Sequence, residues 1–201
     1  MTFSHKCGIF VFQFKCSVPD NHTLAQRHKN MVAIRSVSTE PERELSGALW
    51  RLGFRYRLND RRLPGSPDIV LPKYRSVIFV HGCFWHGHNG CKYYTVPKTN
   101  TDFWVAKGAR NKERDQEVWR KLEAKGWYVI IVWECQLKKG RIDETVERVA
   151  SEIVENGKTY RKEQVERRMA RKEYWKDQKE RKAKACDLLN ELKTSFEYST
   201  R

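Results

Sequence analysis

The stretch that most limits the fold is Val77-Ile78-Phe79-Val80-His81-Gly82-Cys83-Phe84-Trp85-His86-Gly87-His88-Asn89-Gly90-Cys91. Val77 to Val80 is apolar and rich in β-branched residues, the composition of a strand covered on both faces rather than of an amphipathic helix. The run stops at three His, two Cys and a Trp within eleven residues, broken by three Gly. That mixture cannot be core; it suits a loop whose side chains converge on an ion or a ligand. A buried strand thus delivers chemistry to its own end.

A chain of 201 residues can bury one real core and carry extensions. Forty Lys+Arg against 25 Asp+Glu give a formal charge of +15, which points to a polyanionic partner, nucleic acid first. A solvated basic surface is the plainer reading of the same excess. No apolar run approaches the roughly 20 residues that a membrane span requires. Gly8 to Phe14 lacks the apolar length and the small-residue cleavage site of a signal peptide, so a cytoplasmic protein is expected. In that compartment the six Cys are metal ligands or buried thiols rather than disulfides.

Residues 1–25 show no persistent period and read as an extension of unassigned role. Gln26 to Arg35 is basic with a central apolar patch, either a segment lying along phosphates or a solvated helix start. Thr39-Glu40-Pro41-Glu42 predicts a helix entry with a Thr39/Glu42 capping box. Leu45, Ala48, Leu49 and Leu52 then recur at helical spacing up to Gly53. Phe54 to Arg57 alternates like a half-buried strand, and Pro64-Gly65-Ser66-Pro67-Asp68 turns into the apolar strand Ile69-Val70-Leu71. Phe103 to Lys125 reads as a helix with Val118 and Leu122 on one face and Gly126 as its stop; Trp127 to Cys135 reads as a strand. Asp143 to Val154 predicts a further helix, with Val146, Val149, Ile153 and Val154 facing the core. The order helix, three strands, helix, strand, helix implies an α/β layered fold with a mixed sheet. From Gly157 the composition shifts: residues 158–184 carry twelve Lys/Arg against five Asp/Glu. That tail predicts a long exposed helix that either tracks phosphates or is solvated, the solvated reading being preferred on composition.

Cys83, His88, Cys91 and Cys135 make a Cys-His-Cys-Cys set that suits tetrahedral Zn²⁺ with a closed, structural coordination sphere. A buried hydrophobe is the alternative for Cys135. His81 and His86 then stay free for catalysis. Asp68 is costly at the mouth of a core strand unless it satisfies the turn or binds a cation. If its strand forms a hairpin with the next, Asp68 meets Val80 and His81; a carboxylate plus a main-chain carbonyl is a plausible Mg²⁺ site, with a neutral His taking a proton from water. Phosphodiester hydrolysis is the reaction class that follows. Phe84-Trp85, on a charged loop, reads either as core or as aromatics that insert into a base stack.

Lys29-Asn30-Met31-Val32-Ala33-Ile34, Glu42, Pro64 to Asp68, Val80 to Cys91, Phe103-Trp104, Asn111-Lys112-Glu113-Arg114-Asp115 and Val132-Trp133-Glu134-Cys135 stand in the order seen in the very-short-patch-repair (Vsr) mismatch endonucleases. Over residues 26–156 the chain resembles that family, and the HGCFWH run is its most specific piece. The resemblance implies a restriction-endonuclease-like three-layer α/β core with a mixed β-sheet and a structural zinc site. It implies a Mg²⁺-dependent enzyme that nicks one strand of double-stranded DNA 5′ to the T of a T:G mismatch left by deamination of 5-methylcytosine. Asp68 would hold the magnesium with the Val80 carbonyl. His86 would be the general base, Asp115 its orienting partner, His81 an assistant near the scissile phosphate, and Glu42 a supporting acid. Cys83, His88, Cys91 and Cys135 would bind zinc. Met31, Phe84 and Trp85 would wedge into DNA beside the mismatch, with Lys29 and Asn30 as neighbouring contacts. A nucleoid-associated monomer meeting mismatch-repair proteins is implied as well. A nickase of this fold with a different DNA target, or a zinc-stabilised DNA-binding module without catalysis, are the rival readings. The basic tail, residues 157–201, lies outside the resemblance.

Overall fold

A computed structural model describes residues 38–199, with side chains through Ala185, together with Thr23, Ala25, Gln26, Lys29 and Val32. The elements are α1 (Glu40–Arg51), β1 (Arg57–Leu58), β2 (Ile69–Leu71), β3 (Ser76–His81), α2 (Thr101–Ala124), β4 (Tyr128–Trp133) and α3 (Ile142–Ser199). Their order is the one the sequence predicts. The sheet runs β1-β2-β3-β4, antiparallel across the first two pairs and parallel between β3 and β4.

Alternation along β3 explains the layering. Ile78 joins Leu45 and Leu49 of α1 and Val149 and Ile153 of α3 on one face. Val77 and Phe79 join Leu122 of α2 on the other, with Val118 and Trp119 packed against them. A strand buried on both faces excludes polar side chains until it ends, which is why chemistry begins at His81. Each fully buried Leu or Ile contributes about 1.5–3 kcal/mol, so these two clusters dominate the stability of the fold. The parallel β3–β4 pair needs a crossover, and α2 supplies it.

Several local expectations change. Glu42 does not complete the predicted box: its carboxylate accepts from the Ser38 N–H (2.9 Å) and from the Thr39 hydroxyl (2.7 Å). The carboxylate caps one residue early, and Thr39, its hydroxyl engaged by Glu42, makes no side-chain bond to the helix. Leu52 lies 56% exposed at the C-terminus of α1, outside the core. The strand after Gly53 is only Arg57–Leu58, both exposed, because Phe54 dives into the core before pairing begins. β4 stops at Trp133, and Cys135 sits in the 3-10 turn Glu134–Gln136. The helix predicted over Asp143 to Val154 does not stop before Gly157. α3 runs through it, since a Cβ there would stand 2.6 Å from Cδ1 of Tyr74, so glycine lets the helix close on that ring. Val154, predicted to be core, is 39% exposed on this helix. No helix among the described residues is long and apolar enough to cross a membrane.

Upstream, the Thr23 N–H donates to Gln26 Oε1 (3.0 Å) and the Gln26 N–H to Thr23 Oγ1 (3.2 Å). This is a reciprocal capping box in front of helical residues, and its Thr-x-x-Gln spacing was legible in the sequence. Lys29 is helical and exposed; Asn30 and Met31 lie outside the described residues, as do Cys7 and Cys16.

Candidate active site and metal centre

The loop after β3 is wound by its own backbone. His86 N–H donates to the Gly82 carbonyl and His88 N–H to that of Cys83, a turn that aims successive side chains in opposite directions. Cys83 and His88 point to one side, His86 to the other. Gly87, at φ +61°, a conformation that L side chains rarely adopt, turns the chain between them under the end of the Lys112 side chain. Two anchors on α2 fix the loop: the Asn111 amide donates to the Trp85 carbonyl (2.8 Å) and Lys112 Nζ to Asn89 Oδ1 (3.1 Å). The loop is thus held from outside as well as by its own backbone.

Cys83, His88, Cys91 and Cys135 bring one ligand atom each to within 4.8 Å of the others. His88 Nδ1 lies 3.6 Å from the Cys83 sulfur and 3.4 Å from that of Cys135. Metal–sulfur bonds of about 2.3 Å and metal–nitrogen bonds of about 2.0–2.1 Å, set at a tetrahedral angle, require about 3.5–3.6 Å between such atoms. The donor set therefore fits a small tetrahedral cation and can bind a metal. Burial pushes the Cys83 thiol up to about 12, so in the protein alone that sulfur holds its proton. The His88 ring stacks on Trp133 at 4.1 Å with the planes 2° apart, which sets its orientation. Two strand ends meet here, because Cys83 follows β3 and Cys135 follows β4.

On the other side of the loop an open cleft of about 530 Å³ is lined by Glu42, Asp68, Val80, His81, His86, Arg114, Asp115 and Trp119 among others. The predicted hairpin forms, Ile69 pairing with Ile78, and it seats Asp68 where the Val80 N–H donates to its Oδ2 (2.7 Å). Burial pushes the Asp68 carboxyl up to about 7, with the nearby Glu42 carboxylate adding to the rise and the Val80 N–H opposing it. Two acids in a part-buried cleft favour a proton or a cation.

His86 Nδ1 lies 2.5 Å from Asp115 Oδ2, and Arg114 holds the other Asp115 oxygen at 3.2 Å. With Nδ1–H given to the carboxylate, Nε2 is the basic nitrogen, the arrangement a general base needs. His81 is buried and stacks face to face on His86 at 3.8 Å, with Trp119 at 5.8 Å. Its Nδ1 has no hydrogen-bond partner among the described residues. Burial first, then the neighbouring His86, lowers His81 to about 4, so it is neutral at ordinary pH. His81, His86 and Asp115 also converge within 4.8 Å; the short His86–Asp115 hydrogen bond favours a proton-handling pair over an ion there.

Phe84 and Trp85 are half-buried. They pack edge-on with Trp104 of α2, at 5.3 and 6.2 Å, and Lys107 sits over the Trp85 ring at 5.3 Å. The rings are a surface cluster with an apolar back and an accessible edge, neither core nor free.

Reading the sequence missed Trp119, Arg61, Asn59 and Arg114 in the cleft, and the anchoring role of Asn111. The signal was present: Asn111, Asp115 and Trp119 recur every fourth residue and so share one face of α2.

A family model described as DNA mismatch endonuclease Vsr matches residues 19–92. The type II nicking enzyme V.NmeAIP of Neisseria meningitidis is 47% identical over 135 residues, 67% of this chain and 96% of that protein. The DNA mismatch endonuclease Vsr of Escherichia coli is 47% identical over 119 residues, 59% of this chain and 76% of its own length. The type II nicking enzyme V.XorIIP of Xanthomonas oryzae is 46% identical over 112 residues, 56% and 82% respectively. Together with a mixed sheet whose strand ends gather acids and histidines in one open cleft, these relatives define a DNA endonuclease, a hydrolase of phosphodiester bonds. The chain belongs to the Vsr DNA mismatch endonuclease family. That membership implies a restriction-endonuclease-like fold, which the four-stranded mixed sheet accommodates.

Proposed function

We propose that this endonuclease nicks one strand of duplex DNA 5′ to the thymine of a T:G mismatch, using Mg²⁺ in the cleft and Zn²⁺ in the Cys/His centre. The observation that carries the reading is the convergence of Asp68, Glu42, His81, His86 and Asp115 on one cleft. Asp68 and the Val80 carbonyl are the residues that would hold magnesium, which supplies a Lewis acid for the charge that develops on the phosphate. His86 Nε2 accepts the proton of the attacking water. Asp115 keeps the imidazole in the tautomer that can do so and stabilises it once charged, while Arg114 holds the other Asp115 oxygen in place. Neutral His81, buried and stacked on His86, assists near the scissile phosphate by holding the ring of the base in place. Glu42 sets the charge around Asp68 and ties α1 to the cleft.

Phe84 and Trp85 offer their half-buried rings to an opened base step, and Met31, Lys29 and Asn30 would join that contact, a reading that the family resemblance supports. Cys83, His88, Cys91 and Cys135 would hold zinc, which would fix the loop that carries His86. The enzyme works as a monomer on double-stranded DNA, alongside mismatch-repair proteins, in the cytoplasm near the nucleoid. A second reading keeps the chemistry and changes the target, since several relatives bear the name of type II nicking enzymes.

A strand-resolved nicking assay on two duplexes differing only in T:G against C:G, with and without Mg²⁺, tests both. One Mg²⁺-dependent nick beside the mismatched T is expected, absent from C:G and reduced about 10²–10⁴-fold in His86→Ala. Nicking of both duplexes would favour the second reading. Activity unaffected by His86→Ala would remove that residue from the mechanism.

A further inference from the structure

Beyond Glu163, whose carboxylate takes the Tyr128 hydroxyl at 3.1 Å, α3 leaves the sheet, and nearly every side chain through Ala185 is exposed. Composition alone makes this a solvated basic helix. The arrangement of its charges does not. At about 100° per residue, Arg161, Arg168, Arg171, Lys172, Lys179 and Lys182 fall within an arc of about 100°. The five acids of the same span, Glu163, Glu166, Glu173, Asp177 and Glu180, fall within a second arc of about 100°, diametrically opposite. None of the six cations has an acid three or four residues away, so helical neighbours cannot neutralise them, and none has a carboxylate partner among the described residues. Arg168–Lys172 and Lys179–Lys182 are instead like-charged neighbours, which destabilise a helix. Elsewhere the same protein spaces its exposed helical charges to pair, as in Lys121–Glu117 and Arg148–Glu152.

The centre of the cationic stripe holds Trp175, 59% exposed, its ring edge against Tyr174. From Arg161 to Lys182 the stripe is about 32 Å long, close to one turn of duplex DNA. It continues the side of the helix that packs on the sheet through Val149 and Ile153. The helix leaves the sheet at the end opposite the cleft, as Asn156 on Ser76 and Gly157 on Tyr74 establish, so the stripe cannot touch the nucleotide being cut. An anionic membrane does not fit, because a helix lying on lipid needs an apolar face and here the far face carries all five acids interleaved with Lys162, Arg181 and Lys184.

We propose that this stripe is a second DNA contact, binding the phosphate backbone of duplex DNA away from the cleavage site and without regard to sequence or mismatch. It raises residence on DNA and leaves the chemistry alone. The proposal needs a DNA partner for the chain and no particular lesion, so its test uses a fully paired duplex and binding as the readout.

In the full-length protein, Arg168→Gln, Arg171→Gln, Lys172→Gln and Lys179→Gln are combined. Affinity for the paired duplex is measured across a salt series. The combined variant is expected to bind more weakly and to lower the slope of log affinity against log salt by about 0.9 for every phosphate that it no longer neutralises. Glu166→Gln with Glu173→Gln, on the opposite ridge, is expected to leave the slope unchanged or steepen it. The single-turnover nicking rate at saturating enzyme is expected to stay as in the parent. An unchanged slope in the cationic variant overturns the proposal in favour of a solvated helix. An unchanged slope with a change in sedimentation overturns it in favour of a second copy docked by its acidic ridge. An unchanged slope with weakened binding to anionic vesicles overturns it in favour of lipid.

Discussion

A carboxylate at the mouth of an apolar strand is tolerated with a proton or with a cation, and for Asp68 pH selects between them. Its native carboxyl is pushed up to about 7, whereas in the unfolded chain it titrates near 4. Between those values the native state binds the extra proton, so Asp68 lowers the stability of metal-free protein progressively as pH rises from about 4 to about 7. His81 acts in the opposite sense: lowered to about 4, it removes stability as pH falls from about 6.5 to about 4. Asp68→Asn should therefore stabilise the Mg²⁺-free protein by about 4 kcal/mol at pH 8 and by almost nothing at pH 4. Both proteins share His81, so the difference between their urea-unfolding curves isolates Asp68; a difference independent of pH would deny the burial that raises its pKa. At this scale the grouping of Cys83, His88, Cys91 and Cys135, and the meeting of Asp68 with the end of β3, were legible because His, Cys and Asp beside an apolar strand invite an ion or a substrate. Trp119 was not, since a lone Trp on a helix says nothing of the histidine it will stack upon.

The long α3 shows why element boundaries are harder to read than elements. A glycine followed by a change in composition has the signature of a helix end, but the signal that decides Gly157 lies in the ring of Tyr74, more than eighty residues earlier in the chain. Helix propensity by itself favours replacing this glycine, by about 1 kcal/mol. Contact with Tyr74 reverses the sign: Gly157→Leu should destabilise by about 2 kcal/mol in urea unfolding, the overpacking cost exceeding the propensity gain. Adding Tyr74→Ala to Gly157→Leu should recover part of that loss, as expected of two residues that share one space. A stabilised Gly157→Leu would mean that the helix stands off the turn. The two-residue β1 eluded the sequence for a related reason. Alternation from Phe54 to Arg57 imitates a strand, while tertiary burial of Phe54 and the Tyr56 hydroxyl bond to the Ser46 carbonyl (2.7 Å) hold the segment against α1 instead.

For the molecule as a whole, the three layers were readable from the double-sided burial of Val77 to Val80 and the helix periods on either side. The convergence of the cleft was not, because it depends on β2 and β3 pairing in register and on α2 crossing at the right height. The parallel pairing of β3 with β4 has a further consequence for how the chain reaches this state. Strands joined through a long crossover meet late, since the loop between them must close before any contact offsets its entropy. The ion centre is arranged to shorten that wait: Cys83, His88 and Cys91 are local and present three donors before β4 exists, and only Cys135 must arrive from across the crossover. A metal captured there early would become a docking point for the last strand and would shield the apolar Val77–Val80 run from other unfolded chains. Refolding from urea with Zn²⁺ should accordingly be faster and give more soluble protein than refolding with a chelator. Equal rates and yields would leave the centre a fastening applied only after folding is done.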